Sequence, residues 1–346
     1  MKGAVFSRFR GPITVENLPD PAPDPDGVVV RVDATGLCRS DWHGWMGHDP
    51  DIALPHVPGH ELAGTIVAVG TAVRRWRVGE RVTVPFVAGC GRCGACVSGD
   101  EQVCANQFQP GFTGPGSFAE FVALRYADGN LVRVPDEMDG TTAASLGCRF
   151  ATAYRAIVEQ GRAANGEWVA VHGCGGVGLA AIMIAKACGA GVVAIDPQPA
   201  ARTLATDIGA DHTLDPYHVE SPTDVLRSLT GGGPHVSIDA IGLQSAVATS
   251  LASLRVRGRH VQVGLLPAND ISVPMGTVMG RELEILGSHG MQAHRYPEMI
   301  GMILDGLLEP GRIVTHRIAL SEVPTALPAM AASRWPGITI IDRLDE

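Results

Sequence analysis

The stretch WVAVHGCGGVGLAAI, residues 168–182, does most to narrow what this chain can fold into. An apolar strand runs into Gly173, Gly175 and Gly178 and leaves as an Ala-rich helix. In a G-x-G-x-x-G placed this way, the first glycine allows the tight turn and the second lets the backbone approach a pyrophosphate. The third lets the helix pack close to the strand. Phosphate then rests on the helix N-terminus, so Gly173, Gly175, Gly176, Val177 and Gly178 are expected to contact a dinucleotide.

The surrounding sequence agrees. Between 150 and 287, short buried runs (WVAVHG, VVAID, HVSIDAIG, RHVQVGLL, LEILGS) alternate with amphipathic or Ala-rich segments such as ARTLATDIGA. Strand alternating with helix implies βαβ units and a parallel sheet, here a doubly wound Rossmann unit. Residues 1–149 read differently, as short apolar runs (GVVVRVDATG, LAGTIVAVG, GERVTVP) cut by Gly and Pro, the texture of a β-rich domain. The final segment, 288–346, is assigned back to that first domain. A length of 346 residues fits two such units, since single cores stop growing at roughly 250 to 300 residues. The fold class is therefore α/β, a β-rich domain plus a nucleotide-binding one.

Asp196 ends the strand VVAID, where a carboxylate would accept the two ribose hydroxyls and repel a 2′-phosphate. NAD is thus expected over NADP. Arg202 is a cation that could blunt the preference, or a plain exposed helix residue.

Eight cysteines carry the next constraint. Cys90, Cys93, Cys96 and Cys104, spaced C-x2-C-x2-C-x7-C, lie among glycines at 89, 91, 94 and 99 in a lobe of about 88–106. Four thiolates closed around one ion suit a structural zinc. An iron–sulfur cluster is a second reading, although the spacing does not match ferredoxin runs, and two disulfides a third. Of the rest, Cys188 falls in an apolar helix and reads as core.

GLCRSDWH (36–43), PGHE (58–61) and SLGCRF (145–150) bring Cys38, His60 and Cys148, two thiolates and an imidazole. In combination with the four-cysteine lobe and the glycine motif, the chain resembles the zinc-dependent medium-chain alcohol dehydrogenase family over essentially its whole length. The resemblance implies a GroES-like catalytic domain and two zinc ions per subunit. Cys38, His60 and Cys148 would hold the catalytic zinc with a fourth position open, and Cys90, Cys93, Cys96 and Cys104 the structural one. Glu61 would be a carboxylate able to approach the metal, and Asp41 the group that fixes the imidazole. Ser40 and His43 would relay the proton that an alcohol loses near neutral pH when zinc polarises it. Thr152, Val263 and Leu265 would contact the nicotinamide, and Arg39 the pyrophosphate.

The implied reaction is reversible oxidation of a primary or secondary alcohol to an aldehyde or ketone. A polyol or other hydroxy-compound dehydrogenase on the same scaffold is the alternative, and a non-catalytic zinc and nucleotide-binding relative a remoter one. The substrate is a small alcohol or carbonyl compound, and Trp42, Trp45, Phe86 and Phe108 are candidates to shape its pocket. His48 and His56 read as loop residues. A homo-oligomer, tetramer or dimer, follows from the resemblance.

A net charge of -9 argues against a nucleic-acid surface, which needs a basic face. The one basic cluster, Arg74, Arg75, Arg77 and Arg81, reads as a solvated turn at Gly79. No apolar run reaches the ~20 residues of a membrane span. The first residues, MKGAVFSRFRGPITV, lack the apolar stretch of a signal peptide, so a cytoplasmic location is expected.

Overall fold

Trp168–His172 is buried on both faces along nearly its whole length, as a central parallel strand must be when helices cover both sides of its sheet. In the computed structural model, which describes residues 1–266, 271–332 and 335–345, it lies within a six-stranded sheet. The spatial order is His212–Leu214, Gly191–Ile195, Trp168–His172, Val236–Asp239, Arg259–Gln262 and Glu284–Gly287, and every neighbouring pair is parallel. The strand order reverses between Trp168–His172 and Val236–Asp239. Ligands of doubly wound sheets bind in the crevice at that point, beyond the carboxyl ends of the strands.

The helices around this sheet begin and end for local reasons. Pro199–Ile208 carries its proline in the first turn and stops at Gly209, whose φ of 128° is costly for any residue with a Cβ. Pro222–Leu229 starts at Ser221, whose side chain accepts from the Asp224 amide. Gly176–Ala187 is apolar almost all round and is buried from Gly178 to Ala185, so packing rather than a cap holds it. A Cβ on Gly178 would run into the carbonyl oxygen of Gly173.

The second large sheet joins distant parts of the chain. Its order is Val314–Ala319, Ile338–Arg343, Val28–Leu37, Leu62–Val69, Arg81–Thr83 and Val132–Arg133, with Phe121–Leu124 also on Val28–Leu37. Thr339 lies opposite Leu37 and Thr35 opposite Leu62. This register brings the residues after Leu37 and those before Leu62 to the same end of the sheet. A small antiparallel pair, Lys2–Phe6 with Ile13–Asn17, packs alongside. The larger apolar core runs from the parallel sheet to Ala34 and Ala63 of the second one, so the two units share packing at the cleft.

Gly178→Ala is expected to lower the thermal midpoint of the apo protein, because inserting a methyl into this contact costs about 1 to 3 kcal/mol. A melting curve superimposable on that of the parent would contradict the packing role.

Candidate active site

Two clusters of metal-ligating side chains stand out among the described residues. In each, the potential ligand atoms all lie within 4.8 Å of one another: Cys38, His60, Glu61 and Cys148 form one, and Cys90, Cys93, Cys96 and Cys104 the other.

The first is assembled by three local devices. Cys38 caps the helix Arg39–Trp45, and its amide donates to Asp41 Oδ2 at 2.9 Å in a capping box. Asp41 is itself buried, and Oδ1 accepts from the Gly59 amide at 3.1 Å and meets His60 Nδ1 at 2.8 Å. That contact turns Nδ1 toward Asp41 and leaves Nε2 buried without a hydrogen-bond partner. Cys148 lies in the π-helical turn Leu146–Phe150. Such turns loosen the backbone ladder and recur at functional sites. Here the Tyr296 hydroxyl donates to the Leu146 carbonyl at 3.2 Å, and the Phe86 amide to Gly147 O at 3.0 Å.

The electrostatics fit a cation. A hydrogen bond from Cys148 draws the Cys38 thiol well below its ordinary range against the cost of burial, and the positive charge of Arg149 helps. The sharing with Cys38, together with burial, pushes Cys148 the other way. Two sulfurs thus compete for one proton beside an unpartnered imidazole nitrogen, an arrangement that a divalent ion relieves by letting both ionise. Two thiolates and one imidazole are a donor set that suits a catalytic zinc.

The second cluster fits a closed tetrahedral site. Cys93 Sγ is 3.5 Å from Cys96 Sγ and 3.6 Å from Cys104 Sγ. These spacings are far too long for a disulfide but near the ~3.8 Å edge of a tetrahedron with zinc–sulfur bonds of about 2.3 Å. All eight cysteines are free thiols. Backbone amides of Cys90 and Asn106 donate to Cys104 Sγ at 3.3 Å each, and the amide of Arg92 helps draw Cys90 down to about 6. Such donors favour thiolate. The disulfide reading is therefore set aside by the geometry, and the ligand set is one that zinc takes.

The residues expected to contact a dinucleotide are placed as follows. Gly173 has φ of +91°, and Gly175 opens the helix with nothing within 4 Å of where a Cβ would stand. Asp196 Oδ2 accepts from the Cys174 amide at 2.8 Å and Oδ1 from the Gln198 amide at 2.8 Å, which fixes the carboxylate beside the glycine turn. Arg202 is neither a free cation nor an exposed helix residue. Its guanidinium donates to the Asp196 carbonyl at 2.6 Å and to Asp215 at 3.0 Å. Thr152 is buried with an unpartnered hydroxyl. Val263 and Gly264 donate their amides to the Asp239 carbonyl at 3.0 and 2.8 Å, and the Leu265 side chain is 66% exposed.

The other candidates fall in two groups. Ser40 Oγ stands 3.8 Å from Cys38 Sγ, and half-buried His43 meets exposed His48 at 2.8 Å between Nδ1 atoms. Arg39 lies over the Trp42 ring at 4.2 Å and donates to the Met330 carbonyl. Phe86 borders His60 at 6.2 Å between ring centroids, whereas Trp45 is tied to the Gly11 carbonyl and His56 to the Gly111 carbonyl. Three neighbours escaped the sequence reading: Phe112, 5.1 Å from the His60 ring, His48 as the partner of His43, and Arg149. A cation within the apolar run SLGCRF was the one available signal for Arg149.

Asp41→Ala leaves three buried donors, on Cys38, Gly59 and His60, without their acceptor. At about 1 to 3 kcal/mol for each unsatisfied group, denaturant unfolding in the presence of chelator is expected to show a loss of several kcal/mol. A change inside experimental error would contradict this.

Comparison with known proteins places these features. A model described as the alcohol dehydrogenase GroES-like domain matches residues 24–136, and one described as zinc-binding dehydrogenase matches residues 176–305. An alcohol dehydrogenase of Geobacillus stearothermophilus is 35% identical over 290 residues, 83% of this chain and 84% of its own length. A sorbitol dehydrogenase of Bacillus subtilis is 31% identical, covering 94% and 92% of the two chains. Among solved structures, the alcohol dehydrogenase TADH from Thermus sp. ATN1 superposes with a TM-score of 0.92 at 27% identity, covering 99% of this chain and 100% of its own. A Sinorhizobium meliloti 1021 protein solved bound to NADP gives 0.88 at 29%, covering 99% and 98%. Matched in both halves and along most of its length, the chain belongs to the zinc-dependent medium-chain alcohol dehydrogenase family.

Proposed function

We propose that this oxidoreductase oxidises a primary or secondary alcohol to an aldehyde or ketone with NAD, reversibly, at a site built from Cys38, His60 and Cys148. The observation that carries this reading is the buried, unpartnered His60 Nε2 in a cluster with two sulfurs. Zinc held there would supply Lewis-acid polarisation of the alcohol oxygen.

The remaining steps belong to the chain. Asp41 holds the His60 ring through Nδ1 and fixes its orientation. Ser40, next to Cys38, takes the hydroxyl proton and passes it to His43, whose contact with exposed His48 leads to solvent. The glycine turn and Asp196 seat the dinucleotide, and Thr152 with the 263–265 segment orients its nicotinamide to receive the hydride from the substrate carbon. Proton and hydride leave together, so the alcohol loses two hydrogens and NAD becomes NADH.

NAD is favoured because the Asp196 carboxylate, fixed by two amides, meets the ribose hydroxyls and repels a 2′-phosphate. Arg202, spent on Asp215, does not offset it. The NADP-bound relative makes this a choice read from Asp196 rather than from kinship. A polyol substrate is the second reading, favoured by the likeness to a sorbitol dehydrogenase. Our division of the chain into 1–149, 150–287 and 288–346 is supported by sheet membership. A homo-oligomer is supported by the exposed edge strand Glu284–Gly287, where Ile285 is 44% exposed. A cytoplasmic setting is supported by eight free thiols.

Primary, secondary, aromatic and polyol substrates assayed with both cofactors test the reading. Expected are a higher kcat/KM with NAD than with NADP, turnover of simple alcohols, and two zinc ions per chain by metal analysis. A preference for NADP would overturn the role of Asp196, and turnover confined to polyols would install the second reading. Cys38→Ala is expected to abolish turnover while leaving NADH binding nearly intact.

A further inference from the structure

One buried cation has no part in that scheme. Arg149, next to the ligand Cys148, is 6% exposed, and Glu61, next to the ligand His60, is fully buried. The two carboxylate oxygens are both engaged. Oε1 accepts from Arg149 Nε and from the Arg149 backbone amide at 2.9 Å each, and Oε2 accepts from Nη2. A further nitrogen, Nη1, donates to the Leu37 carbonyl at 3.1 Å, one residue before Cys38. The fork of one guanidinium thus ties together the three chain segments that bear the ligands.

The pair is built in, not incidental. A Cβ on Gly36 would strike Glu61 Oε2 and stand 2.7 Å from Arg149 Nη2, so a side chain there would have to displace the pair. On the other side the arginine stem lies under the cofactor turn, where a Cβ on Gly176 would be 2.5 Å from Arg149 Cδ. Yet a Glu61 oxygen is also within 4.8 Å of the sulfurs and the imidazole nitrogen. Nothing in distance keeps this carboxylate from serving as a fourth protein ligand.

The charge count shows what is at stake. Two thiolates already neutralise a divalent ion, and a coordinating carboxylate would make the site anionic and occupy the position that substrate needs. A guanidinium paired through two parallel bonds restores neutrality and fixes the direction of the carboxylate, which a lysine could not do as well.

We propose that Arg149 is a positioning residue that holds Glu61 off the catalytic metal and so keeps the fourth coordination place free for substrate. This rests on the proposed metal site formed by Cys38, His60 and Cys148.

The test uses full-length enzyme with cobalt exchanged into the catalytic site, read by visible absorption and by the rate at which a chelator removes the metal. Arg149→Met is expected to shift the cobalt spectrum as a carboxylate enters the coordination sphere. It should also slow metal release relative to the parent, because the ion gains a fourth protein ligand. The double variant R149M/E61Q is expected to return both readings toward those of the parent, because the freed carboxylate is gone. A merely structural role for Arg149 would leave the double variant as disturbed as the single one. An R149M spectrum and release rate equal to those of the parent, or a double variant that does not recover, would overturn the proposal. Should R149M not fold, Arg149→Lys keeps the charge and loses the fork. A partial shift in the same direction is then expected, and none would overturn the proposal. A parent enzyme that binds no metal at this site would instead defeat the proposed function itself.

Discussion

The carboxylate of Asp41 is the interaction on which the rest of the active site depends. It accepts from Cys38, Gly59 and His60, and so fastens the end of Val28–Leu37 to the start of Leu62–Val69. Antiparallel register brings those two ends close, but only to within the tolerance of a strand terminus. A buried charge with three donors selects one arrangement, since any slip would strand polar groups out of water. The direction of the His60 ring and the place of Cys38 both follow from that single group.

On the opposite side the π-helical turn at Leu146–Phe150 performs a similar task by other means. It gives up regular backbone pairing to turn Cys148 toward Cys38 and His60. The carbonyls it frees are met by the Tyr296 hydroxyl and the Phe86 amide. Cofactor and metal regions then meet physically, because the shared core passes beneath the cleft and the Arg149 stem lies against Gly176.

What could be read from the sequence was what depends on spacing. The glycine turn between an apolar strand and a helix, the alternating strands and helices beyond it, and the four-cysteine lobe are short-range patterns whose meaning survives without knowledge of the fold. The gathering of Cys38, His60 and Cys148 was legible only through resemblance, because no periodicity links positions so far apart. The pairing of Arg149 with Glu61 spans 88 residues and could not be read at all. Arg202 illustrates a further limit: its position near Asp196 suggested an effect on the cofactor, while its ion pair with Asp215 depends on the fold. Aromatic residues were the least legible class. Phe86 borders His60 while Trp45 is packed on Gly11, a difference set by loop paths that composition does not encode.

The pairing of Ile338–Arg343 with Val28–Leu37 has a consequence for how the protein is made. Thr339 sits beside Leu37, the residue before Cys38. The parallel sheet draws all six of its strands from one continuous stretch, 168–287, and can assemble as that stretch leaves the ribosome. The other sheet can pair its five strands from 28–133 early, but its contact with Ile338–Arg343, some three hundred positions away, carries the loop-closure cost that makes non-local topologies slow. During synthesis the edge of Val28–Leu37 beside Cys38 therefore stays open until Ile338–Arg343 has been made.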